Sequence, residues 1–472
     1  MDYNMGKALI VGLGKSGIGA MEVLFDRGWG ITVYDKKMAG EMDRKLMDYL
    51  KRNGIKHFLG TNPIGIGDFD MVVMSPGISP ETDFVVEAAA NGAEVVGELE
   101  LAYRLSKCKY VAITGTNGKT TTTTLVGEIF AKAGEKAEVV GNVGIPVIRK
   151  APNAGEDQWM ITEVSSFQLE TVSLFHPLVS AVLNITPDHM DRHGTLENYA
   201  KIKGKIYEKQ KEDDYFVVNY DDPEALALKE NCPATVVGFS RTKECVPGCF
   251  LKKDRIVIAP CTKGTPEDGK IIDICGVGDL KIPGGHNLEN AMAAAAIAYF
   301  AGINPEIIGA ALQEFEGVEH RMEFVALIEG VRYINDSKGT NPDASIKALE
   351  AIDGGIVLIA GGYNKDASFK ELIKTFKGKV KVLILMGETG PLIKEEALKS
   401  GFNETIMCST MEECVYEARR IAEHGDTVLL SPACASWDMY GSYEERGEHF
   451  KSCIKKISDG RGLNGKGERR KE

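Results

Sequence analysis

Short apolar runs alternate with stretches of helical period through the first hundred positions of the chain. Residues 8–12 form one such run, 17–27 read as a helix, and 31–35 form a second run. A further strand at 71–74 ends in the turn Ser75-Pro76-Gly77, a helix follows over 81–91, and 94–96 is again extended. Strands separated by helices predict a parallel, doubly wound sheet. The alternation restarts at 110–114, which places a boundary between 97 and 109.

A middle region runs from there to about residue 317. Its stretch 238–282 is rich in Thr, Lys, Gly and short β-branched runs, and is expected to add hairpins to an α/β core. A third region opens with 324–334 and continues through strands at 356–360, 382–386 and 427–430. The expected fold is α/β with three domains, at 1–100, 101–317 and 318–472. The charged, Gly-rich tail from 458 is expected to fray. No solenoid repeat is visible. The apolar helix at 291–302 is shorter than the ~20 residues a bilayer requires.

Composition narrows the class. At about 150 residues per domain, the length also points to three domains. Acidic residues outnumber basic ones by 68 to 56, a net charge of −12, which disfavours a general nucleic-acid binder. The ten cysteines are scattered and no secretory signal precedes the first strand, so the chain reads as cytoplasmic. Cys245, Cys249, Cys261 and Cys275 contain no C-x2-C pair and no nearby His, and read as isolated thiols.

The motifs fall where strands end. Tyr110-Val-Ala-Ile-Thr-Gly-Thr-Asn-Gly-Lys-Thr-Thr121 takes a strand through a glycine turn into a helix. Backbone N–H groups at such a junction hold phosphate oxygens, Lys119 can neutralise β- and γ-phosphates, and Thr120 can offer a hydroxyl to Mg²⁺. Only two residues separate Gly115 and Gly118, making this a shortened phosphate loop. Gly12-Leu-Gly-Lys-Ser-Gly17, with Asp35 ending the next strand, forms a second nucleotide-type junction. Read alone it spells a dehydrogenase, but that leaves the Gly115 loop and the whole third region without a role.

Further polar segments follow later strands. They are Glu163-Val-Ser-Ser-Phe-Gln-Leu-Glu170, Asn184-Ile-Thr-Pro-Asp-His-Met-Asp-Arg-His193 and Gly284-Gly-His-Asn-Leu-Glu-Asn290. In the third region come Asn335-Asp-Ser-Lys-Gly-Thr-Asn341, Gly361-Gly-Tyr-Asn-Lys365 and Leu430-Ser-Pro-Ala-Cys-Ala-Ser436. Glu163 and His189 can complete a metal shell begun by Thr120. His193 reads as a surface loop residue.

In this order the segments resemble the Mur ligase family of ATP-dependent amide-forming enzymes, over nearly the whole chain. Ser431 to Asp438, with Tyr443-Glu-Glu-Arg-Gly447, looks like the D-glutamate-adding branch. The resemblance implies a Rossmann-like UDP-binding first domain and a central phosphate-loop ATPase domain with a parallel sheet plus hairpins. It implies a Rossmann-like third domain that binds the amino acid and closes on ATP. The implied reaction joins D-glutamate to UDP-N-acetylmuramoyl-L-alanine through an acyl phosphate, in peptidoglycan precursor synthesis. Both substrates are small molecules, no nucleic acid or membrane is involved, and the family member is a monomer.

The resemblance also implies site residues. Gly115, Thr116, Asn117, Gly118, Lys119, Thr120 and Thr121 would hold ATP phosphates, while Asn287 and Asn290 would meet its base and ribose side. Arg321 and Asp336 would contribute from the third domain. Two Mg²⁺ ions would lie on Thr120 and Glu163, and on His189 with Lys203. Lys203, in the run 201–207, aligns with a lysine that the family carries as a carbamate formed with CO₂. The carbamate is an anionic ligand where a bare ammonium would repel the metal. Lys338 would approach phosphate and acyl-phosphate oxygens. UDP would lie against Lys15, Ser16, Asp35, Lys36 and Gly77, with Asn142 nearer the reacting end of that substrate. Thr340, Lys365, Ser436 and Tyr443 would hold D-glutamate. Trp437 stands where the family often has a smaller apolar residue.

Overall fold

A computed structural model describes residues 6–142, 144–260, 271–282, 284–364 and 367–458. Three sheets carry the chain. The first contains β1 (Lys7–Val11), β2 (Gly30–Asp35), β3 (Lys56–Leu59), β4 (Met71–Met74) and β5 (Glu94–Gly97) in the order β3-β2-β1-β4-β5. All of its pairings are parallel. Ala8 to Val11 and Met71 to Met74 are buried on both sheet faces, as near-continuous apolar strands of a parallel sheet should be.

The second sheet holds β6 (Lys109–Thr114), β7 (Ala137–Gly141), β8 (Trp159–Glu163), β9 (Val179–Val182), β10 (Tyr215–Asn219), β11 (Thr235–Ser240), β12 (Gly248–Lys252), β13 (Arg255–Ala259) and β14 (Ile272–Gly276). Their order is β14-β13-β12-β11-β10-β9-β6-β8-β7. It is parallel from β7 to β12, and β12, β13 and β14 then pair antiparallel, so the hairpins prolong the sheet rather than form a separate layer. Cys245, Cys249 and Cys275 are buried in this extension; Cys261 lies outside the described residues.

The third sheet holds β15 (Glu323–Ile328), β16 (Val331–Asn335), β17 (Ile356–Ala360), β18 (Val380–Leu385), β19 (Thr405–Met407) and β20 (Thr427–Leu430), in the order β15-β16-β20-β17-β18-β19. The apolar stretch 324–334 is not one strand. It folds back at Glu329 and Gly330, both with positive φ, into an antiparallel pair. Helices Pro342–Glu350, Lys370–Lys374 and Gly390–Lys399 cover one face of this sheet, and Met411–Ile421 and Tyr443–Ser458 the other.

The chain forms two compact units. One comprises 1–185, 193–279 and 289–314, and the other 186–192, 280–288 and 315–472. The first two sheets share a unit because the helix Glu98–Arg104 is bound into both regions. Glu98 accepts from the Ile148 N–H at 2.7 Å. The buried Glu100 carboxylate accepts from the N–H groups of Ser173, Leu174 and Phe175 and from Arg104 Nε. A boundary expected near residue 100 is therefore a junction with buried, charge-assisted hydrogen bonds.

Candidate active site

Strand order in the first sheet reverses between β1 and β4, and ligand crevices of open parallel sheets lie beyond the strand ends at such a reversal. A cavity of about 780 Å³ opens there, and Lys15, Ser16, Asp35, Lys36 and Gly77 all line it. The Gly12 loop leads into helix Lys15–Asp26. At Gly17 any Cβ would overlap the Gly12 carbonyl oxygen, so the turn requires glycine there. Asp35 accepts from the Leu13 N–H at 2.7 Å and from the Lys37 N–H at 2.9 Å. Its carboxylate braces the loops that wall the cavity.

The phosphate loop follows β6 and opens helix Lys119–Lys132. Lys119 Nζ donates to the Gly115 and Thr116 carbonyls, both at 2.8 Å, and so lies curled over the loop. Gly118 adopts the left-handed conformation, and a Cβ there would strike Asn290 Oδ1. Asn290 also accepts from Thr122 Oγ1 at 3.3 Å, which packs it against the start of the helix that follows the loop. Asn184 was not singled out by sequence. Its side chain accepts from the Asn117 N–H at 2.8 Å and donates to the Asn117 carbonyl at 3.1 Å, while its carbonyl takes the Thr116 N–H.

Glu163 ends β8, in register with Ile113 of β6. It is 2% exposed; Oε1 accepts from Asn142 Nδ2 at 2.9 Å, and the buried Oε2 has no hydrogen-bond donor among the described residues. A desolvated carboxylate oxygen without a donor is costly, and a cation is the chemistry that satisfies it. The residues therefore fit a divalent metal. Asn142 is gathered to this carboxylate and is not among the residues lining the first-sheet cavity.

Three lysines crowd the segment after His193, and burial separates them. Lys201 is exposed, and Lys205 donates to the Glu170 carbonyl at 2.8 Å. Lys203 is 1% exposed, with Nζ 2.9 Å from the Gly115 carbonyl and 4.4 Å from the centre of the Tyr199 ring. Of the three, Lys203 is the one that hydrogen-bonds the phosphate loop among the described residues. His193 departs from its reading as a surface residue. It is buried between Phe167 and Tyr199 with Nε2 2.9 Å from Ser166 Oγ, so aromatic packing outweighs its polarity. His189 belongs to the other unit and holds a left-handed φ of 55°.

In that unit the candidate residues cluster at the ends of β16 and β20. Asp336 is buried, accepting from Ser431 Oγ at 2.7 Å and from the Met322 N–H at 3.3 Å. Burial raises its carboxyl to about 6, against the opposing pull of Arg321 and Ser431. Arg321 Nε is buried with no acceptor among the described residues. Lys338 Nζ stands 5.2 Å from the Tyr443 ring centre. Thr340 is half-buried and Ser436 buried. Arg446, unassigned by sequence, ties their two loops together. It donates to Ser337 Oγ and the Ser337, Cys434 and Ala435 carbonyls. Trp437 is exposed, its ring centre 5.8 Å from that of Tyr363 with the planes inclined at 45°. Lys365 lies outside the described residues.

Comparison with known proteins agrees with this arrangement along the chain. Residues 6–97 match the family described as Mur ligase MurD-like, N-terminal domain, 113–298 the Mur ligase middle domain, and 320–434 the Mur ligase, glutamate ligase domain. A UDP-N-acetylmuramoylalanine--D-glutamate ligase of Caldanaerobacter subterraneus subsp. tengcongensis is 48% identical over 457 residues, 96% of this chain and 99% of that protein. The chain belongs to the Mur ligase family.

A second relative, the like-named ligase of Clostridioides difficile, is 46% identical over 97% of this Mur ligase and 100% of that protein. Among solved structures, the MurC ligase of Thermotoga maritima superposes with a TM-score of 0.58 at 19% identity, covering 97% of this chain and 100% of that one. MurF ligase from Thermotoga maritima in complex with ADP also gives 0.58, at 17% identity, covering 98% and 97%. Both show the fold. No helix among the described residues of this Mur ligase is long and apolar enough to cross a membrane.

Proposed function

We propose that this Mur ligase joins D-glutamate to UDP-N-acetylmuramoyl-L-alanine at the expense of ATP. The observation that carries the reading is the junction of phosphate loop and buried Glu163, set within full-length likeness to D-glutamate ligases. A γ-phosphoryl group passes from ATP to an oxygen of the L-alanyl carboxylate, releasing ADP and forming an acyl phosphate. The D-glutamate amine then attacks that carbonyl carbon, the C–O bond to phosphate breaks with phosphate taking the electron pair, and the nitrogen loses a proton. Transfer between anions needs cationic positioning more than a nucleophilic side chain.

Lys119 and the loop 115–121 orient the ATP phosphates, Asn290 and Asn184 fix the loop, and Asn287, Arg321 and Asp336 serve the rest of the nucleotide. Mg²⁺ supplies charge neutralisation at the phosphates and the acceptor carboxylate; Thr120 and Glu163 would hold one ion, His189 and a carbamoylated Lys203 a second. Lys338 attends the acyl-phosphate oxygens. UDP occupies the cavity of Lys15, Ser16, Asp35, Lys36 and Gly77, and Asn142 serves the reacting end of that substrate. Thr340, Lys365, Ser436 and Tyr443 receive D-glutamate. These roles distribute over 1–100, 101–317 and 318–472, in a monomer acting in the cytoplasm.

The test is phosphate release from ATP with UDP-N-acetylmuramoyl-L-alanine, adding one amino acid at a time. Release that requires D-glutamate supports the reading. Equal stimulation by L-alanine or a diamino acid overturns it.

A further inference from the structure

Helices Met411–Ile421 and Tyr443–Ser458 lie against one another on one face of the third sheet. Where they meet, Glu412, His449 and Cys453 bring a carboxylate oxygen, an imidazole nitrogen and a thiol sulfur within 4.8 Å of one another. Among the described residues this is the one such group of three or more His, Cys, Asp or Glu ligands. None of the three residues is itself assigned a role in the ligation.

The arrangement has the parts of a metal site. His449 and Cys453 stand four apart on one helix and so share a face. His449 Nε2 lies 2.8 Å from Glu412 Oε1, while Nδ1 lies 3.0 Å from the Tyr440 hydroxyl. A metal-binding imidazole is characteristically oriented by such a partner on its far nitrogen. Cys453 is fully buried whereas Glu412 and His449 are half-buried, so protein closes one side and water can reach the other. Burial raises the Cys453 thiol to about 11, and the nearby Lys456 opposes that shift. A bound cation would have to displace the thiol proton and the Glu412–His449 contact.

We propose that Glu412, His449 and Cys453 bind a transition-metal ion of the zinc class, with water completing the shell, at a site separate from the reaction centre. One sulfur, one nitrogen and one oxygen ligand suit Zn²⁺ or Co²⁺, whereas Mg²⁺ takes oxygen ligands. The ion bridges the two helices. The second of them begins at Tyr443 and carries Arg446 in its first turns, so occupancy would brace the helix that holds the loops at the ends of β16 and β20.

The test titrates chelator-treated full-length protein with Co²⁺ in excess Mg²⁺. A thiolate-to-Co²⁺ charge-transfer absorption is expected, saturating at about one ion per chain and displaced by Zn²⁺. No cysteine is assigned to the Mg²⁺ positions, so Co²⁺ bound there would not produce it. His449→Gln and Cys453→Ser should abolish the band, and Glu412→Gln should weaken Co²⁺ binding at least tenfold. The half-buried positions 412 and 449 keep the test decisive if Cys453→Ser folds poorly. Absence of the band, or its persistence in His449→Gln, would overturn the proposal.

Discussion

Arg446 Nη2 donates to the Ser337 carbonyl at 2.8 Å, joining the helix that begins at Tyr443 to the loop after β16. The same nitrogen reaches the Cys434 carbonyl at 3.1 Å, in the loop after β20, while Nε donates to Ser337 Oγ at 3.0 Å. The guanidinium is 2% exposed, and burial lowers it to about 10, so it remains charged near neutrality. One side chain thus fixes the spacing of loops that carry Lys338 and Ser436.

Replacing Arg446 by Met should leave these acceptors buried and unpaired, at a cost of about 3 kcal/mol. Arg446→Lys should recover part of the stability, because a single ammonium cannot span the fork. Urea unfolding checks the stability, and the KM for D-glutamate checks the loop geometry. A wild-type midpoint with wild-type KM in Arg446→Met would show that the loops hold without the clamp.

Glu163→Gln keeps the side chain's shape and its contact with Asn142 while removing the charge. Activity should fall roughly a hundredfold or more, with thermal stability unchanged or raised. The buried oxygen without a donor is the reason: in the unliganded protein the charge is a burden, so its worth must come from a bound cation. Initial rates across a Mg²⁺ titration, beside a melting curve, measure both effects. Near-wild-type turnover would remove Glu163 from the metal.

The strand-end motifs were legible because their chemistry is local: a glycine turn, a lysine and a threonine lie within a few residues of one another. Alternating strands and helices likewise exposed the doubly wound sheets. The supports were hidden because each depends on a long-range partner. Asn184 touches Asn117 across 67 residues, and Arg446 touches Ser337 across 109. His193 illustrates the same limit, since only the fold supplies Phe167 and Tyr199 around it. The turn at Glu329-Gly330 was missed because an apolar run continues on both sides of it.

Asp35→Ala should act through the cavity walls. Losing acceptors for the Leu13 and Lys37 N–H groups frees both loops, so the KM for the UDP substrate should rise at least tenfold, about 1.4 kcal/mol. The KM for ATP should stay put. Equal changes in both constants would indicate general destabilisation.

Lys203→Ala should abolish ligation, with partial recovery on adding a short carboxylate that restores an anion where the carbamate would stand. Lys201→Ala, at an exposed position, should remain active. Assays with and without added acetate or formate distinguish the two lysines. Full activity in Lys203→Ala would move the carbamate elsewhere.

Glu98 offers a stability test independent of catalysis. Burial raises its carboxyl to about 7 despite the Ile148 N–H it accepts. The folded pKa exceeds the unfolded value, so the folded protein prefers the proton and loses stability as pH rises from about 4.5 through about 7. Glutamine retains the acceptor for Ile148 and never ionises. Glu98→Gln should therefore match the wild type near pH 4 and exceed it above pH 7 by on the order of 3 kcal/mol. Urea midpoints at a series of pH values give the difference directly. A gap that shrank toward alkaline pH would mean the ionised carboxylate is stabilising, with the junction between the first two sheets built on its charge.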